Sequence, residues 1–159
     1  MFGFQQMTAM LSKEPIFAIH AELADIMNFG RTPLGERRVI GILGGNVRGP
    51  KLRGRILPGG ADWQIIRNDG AADISARYTI ETDAGARILV SSDGLRHGPP
   101  DVMERLAQGD SVDASLYYFR TVMRFETADP AVDWLNRIIG LARGQREANA
   151  VRLDVYEVE

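Results

Sequence analysis

The chain contains no cysteine, and that one absence removes disulfide bridges, thiolate nucleophiles and cysteine-ligated zinc together. Histidine is nearly as scarce. His20 and His97 stand far apart, without the ligand spacing a metal needs, and no metal or other cofactor is expected. No apolar run approaches the roughly 18 residues that cross a bilayer as a helix. Neither sign of charge dominates: 19 Lys and Arg against 21 Asp and Glu leave a net −2, which offers no field for nucleic acid or an anionic membrane. The N-terminus lacks the basic start, clean apolar stretch and small-residue cleavage site of a secretory signal, so cytoplasm is the expected compartment. Residues 1–14 read as a poorly ordered N-terminal extension ahead of a single domain over residues 15–159.

What the chain does have is punctuation. Its 17 glycines and 7 prolines fall mainly between short segments rich in β-branched residues, the pattern of a many-stranded sheet. The first strand is predicted over Ile16–Leu23. A polar link from Asn28 to Gly35 follows, then strands over Arg37–Leu43 and Leu52–Leu57, stopped by Pro58-Gly59-Gly60.

Asp69-Gly70 predicts a two-residue type I′ hairpin turn. Counting outward pairs Ile65 with Ile74, Gln64 with Ser75, Trp63 with Ala76 and Asp62 with Arg77. One face then carries Trp63, Ile65, Ile74, Ala76, Tyr78 and Ile80. The other carries Asp62, Gln64, Ser75, Arg77, Thr79 and Glu81. A second hairpin turns at Asp83-Ala84-Gly85 with Gly85 left-handed, which pairs Ile80 with Ile88 and Glu81 with Arg87.

Pro99–Gly109 loses the alternation and reads as a loop with one short helix, capped by Asp101 with Glu104 in capping-box position. Ser115–Phe125 returns to strand. Asp129-Pro130 starts a turn, or a short helical turn ending near Trp134, and two last strands run over Leu135–Ala142 and Val151–Val158. About nine or ten short strands with one short helix must close into a barrel or stack as a sandwich. Sequential hairpins favour a small closed antiparallel β-barrel.

Several blocks resemble a known family: GPKLRGRILPGGADWQ from Gly49, ARYTIETDAG from Ala76, YFRT from Tyr118, WLNR from Trp134 and VYEV from Val155. Together they are similar to the domain-of-unknown-function family 3237, also called uncharacterised protein family 0311, from about residue 15 to the C-terminus. The resemblance implies a β-barrel in a small, homo-oligomeric bacterial protein and carries over no activity. The stretch Arg96–Asp110 matches none of these blocks, which leaves any ligand contact from that loop open.

Negative motifs narrow the chemistry further. Gly41–Gly45 (GILGG) precedes no helix and is no dinucleotide fingerprint; there is no P-loop and no Gly-x-Ser-x-Gly elbow. The sharpest positive constellation is Asp62 opposite Arg77. If that face lines the barrel, Arg77 clamps an anion and Asp62 moves a proton, with Tyr78 as a third catalytic candidate. If it is the solvated face of an amphipathic strand, the Trp63 and Tyr78 face is the core instead. Trp63, Gln64, Glu81, Arg120, Trp134 and Asn136 are the substrate-binding candidates. Arg120 reads equally as an inward cation or as an outward residue at a subunit interface.

Two functions of different class fit these residues. One is a cofactor-independent lyase, isomerase or cyclase acting on a small organic acid or aromatic metabolite. The other is a non-catalytic small-ligand-binding barrel of lipocalin type; an oligomeric scaffold with a filled barrel is a third. An enzyme requires a buried acid or base with a displaced pKa in its cavity, whereas a carrier does not.

Overall fold

The computed structural model describes residues 10–159, so most of the expected N-terminal extension, residues 1–9, lies outside the described residues. Leu11 bridges Val158, and the Ser12 amide donates to the Glu157 carbonyl at 2.9 Å. Nine strands follow: β1 (Phe17–Thr32), β2 (Gly35–Arg48), β3 (Arg53–Ile56), β4 (Gly60–Ile66), β5 (Ala72–Thr82), β6 (Arg87–His97), β7 (Tyr118–Thr127), β8 (Gly140–Arg146) and β9 (Ala150–Glu157). Helix α1 (Pro100–Ala107) and a 3-10 turn (Ala114–Leu116) join β6 to β7, and a 3-10 segment (Pro130–Arg137) joins β7 to β8. Among the described residues, no helix is long and apolar enough to cross a membrane.

Every ladder is antiparallel, and β1 pairs with both β9 and β2, which closes the sheet into the expected barrel. The nine strands fill eight positions, because β3 and β4 share the place between β2 and β5. Pro58 cannot donate to a ladder and Gly59 sits at φ 107°, so the chain kinks there before resuming the same path.

One half of the lumen is solid. Ile80, Ile88, Val90, Met123 and Val155 are fully buried, and Phe17 meets Phe125 edge-to-face at 5.7 Å. The other half keeps open space beside Ala76, and Phe119 packs onto Gly144. A Cβ on Gly144 would lie 2.6 Å from the Phe119 ring. Gly144→Ala is therefore expected to cost roughly 1–3 kcal/mol of overpacking in a urea melt, and the double variant with Phe119→Leu to recover part of it.

The second predicted hairpin forms as expected, with Gly85 at φ 94°, Ile80 opposite Ile88 and Glu81 opposite Arg87. The first does not. Asn68-Asp69-Gly70 makes a three-residue loop: the Arg67 amide donates to the Ala71 carbonyl at 2.9 Å, the Asp69 carboxylate accepts from the Ala71 amide at 3.1 Å, and Gly70 takes φ 85°. Asp69 thus supports an ordinary turn followed by a glycine bulge. The extra loop residue slips the register by one, so Asp62 faces Ala76 and Ala61 faces Arg77. A one-residue slip turns every side chain of a strand to the opposite face. β5 keeps its expected core face, while β4 turns Asp62 and Gln64 inward and Trp63 outward.

Three smaller corrections have local causes. β1 and β2 run through the expected Asn28–Gly35 link, with bulges in β1, and turn only at Pro33-Leu34. Asp101 does not cap α1; Pro99 precedes the helix and Pro100 occupies its first turn, where a missing N–H costs nothing. The helical turn expected to end near Trp134 runs on to Arg137, so Asn136 and Arg137 lie in the 3-10 segment rather than a strand; the Asp129 carboxylate starts it by accepting from the Ala131 amide at 2.9 Å.

Candidate functional site

The open half of the lumen is built by alternation. On β2 the inward row is Arg38, Ile40, Ile42; on β4 it is Asp62 and Gln64, with Ile40 opposite Asp62 and Arg38 opposite Gln64. β5 adds Ile74, Ala76 and Tyr78, β6 adds Ser92 and Arg96, β7 adds Phe119 and Thr121, and β8 ends on Arg146. Arg38, Arg96 and Arg146 stand at the rim side of rows that continue inward through apolar or small residues.

These side chains enclose two adjoining spaces. A mouth of about 540 Å³ is lined by Arg38, Arg96, Arg146 and Glu36, with Met103 and Leu106 of α1 as one wall. An inner chamber of about 60 Å³ is lined by Asp62, Gln64 and Tyr78 among Ile40, Ile74 and Phe119. Arg96 and Arg146 line both. A wide mouth with a narrow apolar floor and a few placed polar groups is the usual shape of a small-molecule site.

The electrostatics are unbalanced in a specific way. Among the described residues, no carboxylate lies within ion-pair distance of Arg38, Arg96 or Arg146. Burial, together with repulsion from the Arg146 and Arg38 charges, pushes the Arg96 guanidinium down to about 10. Burial lowers Arg38 and Arg146 as well. Arg96 lies over the Phe119 ring at 5.6 Å, and the Arg146 Nη1 donates to the Ala150 carbonyl at 3.2 Å. Three desolvated cations around one opening attract an anion and hold it with charge-assisted hydrogen bonds.

Asp62 is the lone acid of the chamber. Its Oδ1 accepts from the Ser75 amide at 2.9 Å and its Oδ2 from Gln64 Nε2 at 3.1 Å. Burial raises its pKa, against the opposing pull of those two bonds and of the Arg96 and Arg38 charges. Tyr78 is 4% exposed, and burial pushes its phenol up, so the hydroxyl stays protonated. Among the described residues, three buried side-chain polar atoms have no hydrogen-bond partner: Arg38 Nε, Gln64 Oε1 and the Tyr78 hydroxyl. Ser92 and Thr121, by contrast, satisfy each other at 2.9 Å.

Of the residues predicted from sequence, the chamber brings together Asp62, Gln64 and Tyr78. The predicted Asp62–Arg77 pair is not formed. Arg77 stays on the outer face of β5, where its Nη1 donates to Asp93 at 3.1 Å, while the register slip turns Asp62 inward. Trp63 is 44% exposed on the outer wall, and Glu81 is outside too, bonded to Arg55 at 3.0 Å. Arg120 takes the outward alternative: it lies over the exposed Tyr118 ring at 5.2 Å. Trp134 packs beneath Lys51 at 5.5 Å, and Asn136 is occupied by both backbone groups of Thr127, so neither reaches the lumen. His20 meets Glu147 at 3.7 Å and His97 stacks on Tyr118.

The three rim arginines were not predicted. Their signal was present as a row ending: Arg38 continues Ile40 and Ile42, Arg96 continues Ser92 and Gly94, and Arg146 continues Ala142 and Gly144 at a spacing of two. An arginine in phase with a buried row is an inward arginine.

The family described as a protein of unknown function, DUF3237, matches residues 11–158. The chain belongs to this family. A UPF0311 protein of Rhodopseudomonas palustris strain TIE-1 is 41% identical over 152 residues, which cover 96% of this chain and 99% of that one. A crystal structure of a conserved protein of unknown function from Rhodopseudomonas palustris superposes with a TM-score of 0.89 at 40% identity, over 96% of this chain and 100% of that one. The same fold recurs at 19% identity in an enzyme from Penicillium herquei, with a TM-score of 0.70 over 95% of this chain and 96% of that one. At that identity the likeness concerns the fold alone. The DUF3237 barrel of this chain therefore has to be read from its own lumen.

Proposed function

We propose that this protein is an enzyme that moves a proton on a small organic acid bound as its anion in the barrel lumen, in the class of lyases, isomerases and cyclases. The observation that carries the reading is the convergence of Arg38, Arg96 and Arg146 on a lumen whose inner chamber holds Asp62, a buried acid raised in pKa. In this reading the arginines bind the carboxylate or enolate and stabilise negative charge as it develops. Asp62, held by Ser75 and Gln64, gives or takes the proton at a pKa nearer the working pH than an ordinary carboxylate. The neutral Tyr78 hydroxyl orients the substrate in the chamber. A carrier needs no displaced acid, and a filled scaffold needs no cavity, so this lumen favours the enzyme reading over both.

The test is solvent exchange. A panel of aryl- and alkyl-substituted keto, unsaturated and hydroxy acids is incubated with the protein in D2O and followed by proton NMR. At least one acid is expected to take up deuterium at carbon, at a rate that an Arg77→Ala variant leaves within about twofold, since Arg77 lies outside the barrel. Uptake that never exceeds the protein-free rate for any acid sinks the proposal.

A further inference from the structure

The unpaired groups of the lumen also define what the bound anion carries next to its charge. We propose that the ligand is a hydroxy acid, with its hydroxyl on the first or second carbon from the carboxylate and an apolar body beyond; this rests on the anion-binding reading above and narrows it. Arg38 and Gln64 stand directly opposite each other on β2 and β4, both facing inward. Side chains so placed start about 5 Å apart. Their unmet needs are opposite. Arg38 has donors only, and its Nε is buried without an acceptor. Gln64 is 1% exposed; its amide nitrogen donates to Asp62, and its Oε1 is an acceptor with no donor among the described residues.

A plain carboxylate answers the arginine and leaves the buried Oε1 without a donor. A ketone does the same. A hydroxyl on the ligand donates to Oε1 while the neighbouring carboxylate accepts from the guanidinium. An ammonium group also donates, but it would add a fourth positive charge to a rim that already holds Arg38, Arg96 and Arg146. The short span between the two protein groups limits the separation of the two ligand groups to one or two carbons. The apolar body is suited by Ile66, Met103 and Leu106 in the wall of the mouth.

Isothermal titration with two matched pairs tests this: mandelate against phenylacetate, and 3-hydroxy-3-phenylpropanoate against 3-phenylpropanoate. In at least one pair the hydroxy acid is expected to bind tenfold or more tightly than its deoxy partner. Gln64→Leu is expected to bring that ratio close to one while the deoxy acid keeps its affinity. Should Gln64→Leu fail to fold by circular dichroism, the ratio on the unmodified protein decides alone. Equal affinities within both pairs overturn the hydroxyl assignment and leave anion binding standing. No binding by any of the four acids overturns both.

Discussion

Asp62→Asn is expected to slow proton transfer by about 100- to 10,000-fold and, at neutral pH, to raise the unfolding midpoint of the protein. The first effect follows because the amide cannot exchange a proton at working pH. The second follows from the site's geometry. Asn keeps one oxygen for the Ser75 amide, and a turn of the Gln64 amide lets its Oε1 accept from the new side-chain nitrogen, which satisfies an atom that otherwise has no donor. Burial, meanwhile, no longer opposes a negative charge. The gain is on the order of 1 kcal/mol, or about 2–4 °C in a domain of this size.

The pH dependence has a definite sign. In the folded protein Asp62 has a raised pKa, while in the unfolded chain it titrates near 4. Between those values the folded state binds more protons than the unfolded state. Its stabilising contribution is complete below about pH 4 and is lost as the pH rises through the folded-state pKa. Asn has no such contribution. The difference in midpoint between variant and parent should therefore open upward from about pH 4 and then level off. Thermal melts by circular dichroism at several pH values read this directly. A difference that is constant with pH, or that closes as the pH rises, would mean that burial does not govern Asp62.

Arg96→Met is expected to weaken binding of a carboxylate by roughly 10- to 100-fold while leaving the ligand-free fold as stable as before or more so. Among the described residues no carboxylate pairs with Arg96, and Arg146 and Arg38 both oppose its charge. Methionine keeps the aliphatic stem and its contact with Phe119 while removing a desolvated cation, a replacement that commonly leaves stability unchanged or improved. Loss of affinity with a higher midpoint would mark Arg96 as a residue held for the ligand at the expense of the fold. Equal affinity in the variant would remove Arg96 from the site. A lower midpoint would show that the guanidinium supports the barrel.

How far the sequence reaches is best seen at the two hairpins. Asp83-Ala84-Gly85 could be placed to the residue, because a left-handed glycine at the third loop position admits one register, and the pairs Ile80–Ile88 and Glu81–Arg87 agree with it. Asp69-Gly70 could not. A two-residue and a three-residue loop both accept that dipeptide, and the deciding contacts, from Arg67 to Asp69 and from Asp69 to the Ala71 amide, belong to the folded loop. That single residue of register separates an Asp62–Arg77 pair on one face from an Asp62 inside and an Arg77 outside. Asn136 is misplaced for a different reason: the residues after Trp134 are compatible with a strand, while the helical turn that begins at Asp129-Pro130 runs on to Arg137.

The sequence by itself determined the all-β class, the approximate strand count, the family, and that Ile74, Ala76, Tyr78 and Ile80 share one face of β5. Those follow from local facts: where glycine and proline break the chain, and which residues recur at a spacing of two. Only the tertiary structure decided that β4 turns its polar face into the barrel, and that Arg38, Arg96 and Arg146 meet at one opening. They come from β2, β6 and β8, strands that are distant in sequence, and their mutual repulsion and shared desolvation exist only once the sheet closes. Barrel closure is a long-range event, and the chemistry of this lumen is a property of the closed ring.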